Sequence, residues 1–547
     1  MLVLFKNKCY FCNTIKHYFL TPKIFIMRKV LTLAAIMLCI ISCQKDEESL
    51  LKKEEDKVQP TEKTEQETSM EAWKWLSVTN NTSVSMEEAR KMALETAYQL
   101  QDQENVQGTS FFTRNIPIKI ESVRLLSKEK TQPTFRKAPK EVDFYLVHFS
   151  NDKGYALVSG DKRVPGVMAY SPHGRLDSIT NPGQAVMLSA IEDYVENQKA
   201  LYESRKDSLR KIALDHLLKK LTKEEKEQFL GNTDFVASTS KMMSGRGRCV
   251  LIEDKPRYST SNNWVVSNKI LPLIKTLWSQ RGKYNDLVGK QCGNNEQAPV
   301  GCVAIAVGQI MAYHKKPRVF MGREMHWEDM TKIDPGDMFS QIDNNSIKNN
   351  PIAVADIQYL LARLGEKHLL QMDYGCGNDG SGSTVSRAYY TFNALGFHPS
   401  LKYSMEVNSM LHDLKNHRPV YIRGCSSRKS FLNIEAYTIY ENCHAWVIDG
   451  YIRKYYNIFH HYFSNCMSED KFHEVVSETH VEEYIHCNFG WGGDKYGNNG
   501  YSGWYRIGIF DASFGHPGQV HPSNTFQTDA GSEGNYKYDF RLITNIH

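Results

Sequence analysis

The stretch that decides the fold is residues 301–311, which read GCVAIAVGQIM and follow a proline-marked loop. The apolar, alanine-rich pattern predicts a buried helix that begins beside Cys302. Backbone N–H groups and the positive end of the helix dipole lower the pKa of a cysteine at such a place, which favours the reactive thiolate. A small cysteine packed at a helix start explains the pattern equally well, because free cysteine is among the most buried residue types. This stretch alone leaves catalysis and packing open.

The size and charge of the chain limit the classes of function. At 547 residues the chain is too long for one core, and about three domains are expected. The formal net charge is +5, and we find no sustained Lys/Arg run with interleaved aromatic residues. Nucleic acid is therefore not expected as a partner.

The N-terminal region carries a targeting signal. Residues 27–29 are Met-Arg-Lys, and an apolar run of signal-peptide length follows over residues 30–42, which predicts a secretory signal and not a spanning helix. Residues 40–43, Ile-Ile-Ser-Cys, resemble a bacterial lipobox in which Cys43 is lipidated, and the acidic tract after it resembles those of surface lipoproteins. We expect an exported protein of the bacterial cell surface or outer membrane, held by a lipid at Cys43 or released after maturation. Simple secretion is the alternative.

The next segments predict a tether and a small folded unit. Residues 1–43 form an upstream extension with the signal peptide, and residues 44–79 are rich in Lys, Glu, Gln and Thr, which predicts a polar tether. Residues 80–240 contain a helix after capping serines, a hairpin around residues 142–159, a third strand near residue 167 and a long charged helix. They predict a small α+β domain without a catalytic constellation. Residues 241–256 are basic and glycine-interrupted, as in an exposed, cleavable linker or an ordinary interdomain linker.

A nucleophilic Cys302 needs a base, a group that orients the base, and donors for an oxyanion. His444 lies in a strand-like apolar run, and imidazole is the usual base because its pKa is near neutrality. Asn488 ends a second strand before a glycine-rich turn, where an amide can orient an imidazole. A histidine packed on a strand and a simple turn asparagine are the alternatives for these two residues.

Three separated motifs resemble the streptopain family of cysteine peptidases: GCVA with QIMAYH around Cys302, HAWVIDG from His444, and NFGWGG from Asn488. Residues 144–147 and 154–163 are similar to the pro-domain of that family, which inhibits the enzyme until it is cleaved. The resemblance runs from about residue 80 to near the C-terminus. It implies an α+β fold in which a papain-like domain, a helix packed on an antiparallel sheet, occupies residues 257–547 behind the pro-domain.

The resemblance implies roles for individual residues. Cys302 is the nucleophile, His444 the general base and later acid, Asn488 the orienting group, and Gln280 an oxyanion donor together with the backbone N–H of Cys302. Substrate-binding residues are expected at Gly380, Ser381, Gly382, Ser383 and Trp491, with a subsite for an apolar side chain just before the cut. Substrates are proteins or peptides, the pro-domain is an intramolecular inhibitor, and neither a cofactor nor a metal is expected. The chain departs from the family at Phe489, where tryptophan is usual, and in an insertion over residues 452–481.

Other sites and functions compete with this interpretation. Cys443 is a second candidate nucleophile, although neighbouring strand residues point to opposite faces. The cysteines and histidines between residues 443 and 487 suggest a zinc site as an alternative. Their spacing, however, matches none of the short paired patterns typical of zinc ligands. Disulfide pairing cannot be read from the sequence. A surface binding protein without turnover and a pro-domain that inhibits in trans are the functional alternatives.

Overall fold

The computed structural model describes residues 65–79, 81–101, 118–127, 143–151, 153–164, 166–179, 181–220, 251–254, 265–293, 296–331, 350–376, 380–425, 430–432, 434–435, 443–463, 472–492, 502–510 and 540–547. The predicted signal peptide, Cys43 and residues 44–64 of the predicted tether lie outside them. None of the described helices is both long and apolar enough to cross a membrane.

The N-terminal part of the described chain is an α+β unit. Its elements are α1 (Glu65–Thr79), α2 (Met86–Gln101), β1 (Ile120–Leu126), β2 (Phe144–Phe149), β3 (Tyr155–Ser159), β4 (Val167–Ser171) and α3 (Pro182–Lys220). A capping box starts α2, because the Ser85 N–H donates to the Glu88 carboxylate at 2.6 Å and the Glu88 N–H donates to Ser85 Oγ at 3.2 Å. The predicted first helix, the β2–β3 hairpin and the third strand are confirmed.

Helix α1 corrects the tether prediction for residues 65–79. Trp73 and Leu76 are buried against Tyr202 and Leu209 of α3, and the Trp73 indole N–H donates to the carbonyl of Arg163 at 2.7 Å. Burial of these apolar side chains stabilises a helix that its polar composition alone would leave unfolded.

The remaining elements form the C-terminal part. They are β5 (Leu251–Asp254), β6 (Val265–Ile270), α4 (Cys302–His314), β7 (Val319–Phe320), β8 (Arg323–Glu324), α5 (Trp327–Met330), α6 (Pro351–Leu364), α7 (Val385–Ala394), β9 (Ser400–Lys402), α8 (Val407–Lys415), β10 (Val420–Cys425), β11 (Ser430–Phe431), β12 (Ile434–Glu435), β13 (Cys443–Phe463), β14 (Phe472–Asn488), β15 (Gly503–Arg506) and β16 (Arg541–Thr544). Within the predicted linker, residues 251–254 form β5, and residues 241–250 and 255–256 lie outside the described residues.

One antiparallel sheet joins the two parts. Its strand order is β1-β2-β3-β4-β15-β14-β13-β10-β16-β9, and β5 and β6 pair with β13. Helix α4 packs its buried face against β10, β13 and β16 through Tyr421, Val447 and Ile543. A helix on an antiparallel sheet, behind a small α+β pro-domain, is the fold that the sequence predicts, and that prediction is confirmed.

Of residues 452–481, which the sequence predicts to be an insertion, residues 452–463 belong to β13 and residues 472–481 to β14. The register runs from Val447 opposite Asn488 to Phe463 opposite Phe472, and β5 pairs with the far end of β13. The strand ends that carry His444 and Asn488 therefore stay in the sheet, and the insertion itself stays a prediction.

Candidate active site

Cys302 is the first residue of α4, and the backbone before it is special. Gly301 has φ +87°, and a Cβ placed on it would lie 2.3 Å from Met372 Cε and 2.7 Å from the carbonyl oxygen of Ser381. Only glycine can adopt this left-handed φ and also leave room for the close approach of the segments that carry Met372 and Ser381. The Gly-Cys pair in the sequence thus reflects a turn that places the thiol at the helix start.

The surroundings of Cys302 favour its thiolate. The N–H of Ala445 donates to Sγ at 3.4 Å. Burial opposes ionisation, but the charge of the His444 imidazole, a hydrogen bond from it, and the N–H groups of Ala445 and Val303 bring the pKa of Cys302 below its ordinary value. The sequence prediction rested on the helix start alone, and the structure adds the imidazole and a strand N–H.

His444 lies on β13, opposite Gly424 of β10, and is 3% exposed. Its Nε2 donates to the carbonyl of Phe489 at 3.0 Å, which fixes the proton on Nε2 and leaves Nδ1 to accept a proton. The ring stacks on Trp446 at 6.2 Å and meets the edge of Trp491 at 5.8 Å. These contacts hold the imidazole in one orientation.

Asn488 does not hydrogen-bond the imidazole in this structure, contrary to the sequence prediction. Its Oδ1 accepts from Gln309 Nε2 at 3.3 Å and from the Gly490 N–H at 3.1 Å, and its Nδ2 donates to the Thr276 carbonyl at 3.1 Å. Asn488 therefore ties the end of β14 to α4, and the carbonyl of Phe489 orients His444. A backbone carbonyl carries no side-chain signal, so the sequence could not point to it.

The other predicted site residues line one cleft. It has a volume of about 820 Å³. Its walls include Gln280, Cys302, His444, Gly380, Ser381, Gly382, Ser383 and Trp491, that is, every predicted site residue except Asn488. The carbonyl of Gln280 accepts from the Val300 N–H at 3.0 Å, which holds the glutamine beside the loop that leads to Cys302. Its role as an oxyanion donor stays a prediction.

The other described cysteines do not compete with Cys302. Cys443, the second candidate nucleophile, forms a disulfide with Cys425 across β10 and β13, and Cys292 pairs with Cys376. Among the described residues only Cys302 and Cys487 are free, and burial raises the pKa of Cys487 well above its ordinary range. His486 is one of the residues considered above for a zinc site. In the structure its Nδ1 is hydrogen-bonded to the carboxylate of buried Asp449 at 2.6 Å.

The start of α3 lies against the imidazole of His444. Pro182 lines the cleft, and a Cβ on Gly183 would lie 2.8 Å from His444 Cδ2 and 2.4 Å from Phe489 Cδ1. Asn181 caps this helix, since its Oδ1 accepts from the Gln184 N–H at 3.1 Å. The first turn of the pro-domain helix therefore occupies the side of the cleft next to His444.

A cysteine at a helix start, facing a strand histidine across a cleft and covered by a preceding domain, defines the class of papain-like cysteine peptidases with a pro-domain. Residues 278–501 match the family model described as Peptidase C10 family, and residues 80–195 match that of the Spi protease inhibitor. Residues 278–501 are thus a peptidase C10 (streptopain) family domain that follows an inhibitor-type segment, as the motifs indicated.

Known relatives share limited identity with the chain. It is 22% identical over 389 residues to the thiol protease/hemagglutinin PrtT of Porphyromonas gingivalis, over 66% of this chain and 34% of that protein. It is 24% identical over 333 residues to streptopain of Streptococcus pyogenes, over 56% of this chain and 68% of streptopain. The chain thus spans about a third of the length of PrtT. A solved prointerpain A fragment of Prevotella intermedia aligns at a TM-score of 0.41 and 14% identity, over 78% of this chain and 99% of the fragment.

Proposed function

We propose that this protein is an exported cysteine endopeptidase that is made as an inactive precursor and hydrolyses peptide bonds through an acyl-enzyme on Cys302. The observation that carries the proposal is the meeting of Cys302 and His444 on one cleft, with the thiol pKa lowered by the imidazole. Substrates are proteins or peptides that lie along the cleft between the Gly380–Ser383 wall and Trp491.

The reaction follows from the positions of these groups. The Cys302 thiolate attacks the carbonyl carbon of the scissile bond, and the oxyanion lies near the Cys302 N–H and the Gln280 amide. Protonated His444 gives its proton to the leaving amine, and the C–N bond breaks to leave a thioester. Water then attacks the thioester while His444 accepts its proton, and the C–S bond breaks to release the acid product and restore the Cys302 thiolate beside protonated His444.

Replacement of the thiol tests this function. We expect Cys302→Ala to remain as uncleaved precursor and to leave casein intact, and iodoacetamide to inactivate the mature wild-type enzyme. Cys487→Ala is the matched control, because Cys487 is the other free described cysteine, is buried and does not line the cleft. Maturation and casein cleavage by Cys302→Ala would contradict the proposal. A binding protein without turnover would give no burst in an active-site thiol titration.

The same segment that lies against His444 supports inhibition by the pro-domain. Pro182 and Gly183 occupy space beside the imidazole that a substrate would need. The pro-domain then acts within its own chain, and addition of residues 80–240 to the mature enzyme tests whether it also inhibits in trans.

Attachment to the membrane is the last part of the proposal. The lipobox-like residues 40–43 support lipidation of Cys43 after export. Labelling of cells with a radioactive fatty acid should mark the wild type and not Cys43→Ala. Export of unlabelled wild type would favour simple secretion.

A further inference from the structure

We propose that the cleft selects peptides with an acidic side chain near the scissile bond, and that Arg387 binds this carboxylate. The inference rests on the proposed peptidase function and adds a substrate class to it. Three arginines, Arg281, Arg387 and Arg423, line the cleft, against one carboxylate, Asp373. Arg423 donates to Cys443 Sγ at 2.8 Å, and Arg281 and Arg387 alone already outnumber the one described carboxylate of the cleft walls.

Arg387 has no ionic partner within the described part of the chain. It is half-buried in the first turn of α7, where its backbone N–H donates to Thr384 Oγ1 at 3.2 Å. Other arginines of the C-terminal part are paired: Arg323 with Asp356 at 2.6 Å, and Arg418 with Asp413 at 2.6 Å. Arg387 thus keeps its charge in the cleft wall without an acid of the described fold to match it.

The position of Arg387 on its helix strengthens this point. The first turn of a helix carries partial positive charge, so a cation there is unfavourable for the helix itself. Helix α7 is already capped by Thr384, and the guanidinium adds nothing to that cap. A carboxylate from outside would be favoured by both the guanidinium and the helix end.

Asp373 lies in the same cleft but does not satisfy Arg387. Its backbone is fixed by paired hydrogen bonds with Gly382, both at 2.9 Å, and its side chain is exposed. No ion pair within 4.0 Å joins Asp373 to a described cation. The guanidinium fork is therefore free to bind a substrate carboxylate through two parallel hydrogen bonds.

The test uses the matured enzyme and a set of quenched fluorescent peptides. The peptides share one core sequence and carry Glu, Gln or Lys at each position in turn on both sides of the cut. We expect the wild type to prefer Glu over Gln about fivefold in kcat/KM at one position, and the preference to shrink at high salt, since the site is partly open to solvent.

Variants assign this preference to Arg387. Arg387→Gln should abolish it, Arg387→Glu should reverse it toward Lys, and Asp373→Asn should increase it. Arg318→Gln is the matched control, because Arg318 is highly exposed and outside the cleft walls. If Arg387→Gln fails to fold, the Asp373→Asn profile still tests the charge argument.

The outcomes separate this inference from the proposed function. Equal cleavage of the Glu, Gln and Lys peptides by the wild type would overturn the acidic preference alone. An unchanged profile in Arg387→Glu would overturn the role of Arg387. Wild type that cleaves none of the peptides nor casein would overturn the peptidase function and this inference with it.

Discussion

At the scale of single residues, the reactive pair depends on backbone groups as much as on side chains. The Ala445 N–H contacts the sulfur of Cys302, and the Phe489 carbonyl holds Nε2 of His444. The backbone of β13 thus supplies a hydrogen bond to Cys302, the proposed nucleophile, and also carries His444, the proposed base. Replacement of the side chains at 445 or 489 would leave both hydrogen-bonding groups in place.

The pH dependence of alkylation reports on this pair. Because the pKa of Cys302 is lowered, its thiolate persists below the pH at which an ordinary thiol is protonated, and alkylation is lost only on further acidification. His444→Ala removes the largest of the causes that lower this pKa, so the inflection should move to higher pH and the rate at pH 7 should fall about tenfold or more. The measurement is the rate of iodoacetamide labelling against pH in the matured wild type and in His444→Ala matured by added wild-type enzyme. Identical pH profiles for the two proteins would contradict the pairing.

At the scale of elements, the start of α3 and the ends of β13 and β14 meet at the cleft. Gly183 permits the contact because its missing side chain leaves room for the rings of His444 and Phe489. The helix is 39 residues long, and α1 packs on its later turns through Trp73. The first turn is therefore held against the imidazole by packing far along the same helix.

Addition of one methyl group should loosen this contact. In Gly183→Ala the new Cβ would lie under 3 Å from ring atoms of Phe489 and His444, so the helix start or the rings must shift. We expect the precursor to mature several-fold faster and the mature enzyme, once its pro-domain is removed, to keep its kcat/KM. Gly289→Ala, with open space around its Cβ, is the control. The measurement is a time course of maturation on gels, and equal rates for Gly183→Ala and wild type would count against the role of this contact.

At the scale of the whole molecule, buried charges join the pro-domain to the catalytic part. Glu482 of β14 lies 3.0 Å from Lys454 Nζ and 3.4 Å from Arg506, and all three side chains are at most 3% exposed. Lys454 Nζ also donates to Thr96 and Gln99 of α2, at 3.2 and 3.1 Å. Burial raises the pKa of Glu482, but Lys454 and Arg506 outweigh it and lower the value to about 2.

This network should stabilise the precursor at neutral pH. A carboxyl whose pKa is depressed on folding contributes stability above its unfolded pKa and loses it as pH falls through the folded value, here between about 4 and 2. Glu482→Gln leaves Lys454 and Arg506 without this carboxylate, so we expect a loss of about 3 kcal/mol in the free energy of unfolding. Denaturant unfolding of the wild-type and Glu482→Gln precursors at pH 7 measures this loss in the free energy of unfolding.

The control for this prediction is an exposed ion pair. Glu328 is 81% exposed and pairs with Lys315. Glu328→Gln should lower the free energy of unfolding by less than about 1 kcal/mol. Equal losses for Glu482→Gln and Glu328→Gln would show that the buried network contributes no more than a surface pair.

The sequence allowed prediction of what local patterns encode and not of what distant packing creates. The helix start at Cys302, the strand at His444 and the cleft residues 380–383 are marked by glycines and apolar runs, and the structure brings them together. The contact of Gly183 with His444 joins positions that no short pattern links. Helix α1 is not predicted from the sequence because its polar composition outweighs Trp73 and Leu76, which anchor it on α3.

The pairing of β4 with β15 has a consequence for the timing of activation. Tyr170 and Ala169 lie opposite Trp504 and Tyr505, so the main chains of the two parts are hydrogen-bonded as neighbours in one sheet. A cut in the segment after α3 breaks a covalent link and leaves this seam closed. Cleavage of the chain and separation of the pro-domain are then two successive events. Separation exposes the edge of β15, whose backbone N–H and C=O groups must then hydrogen-bond to water or to another chain.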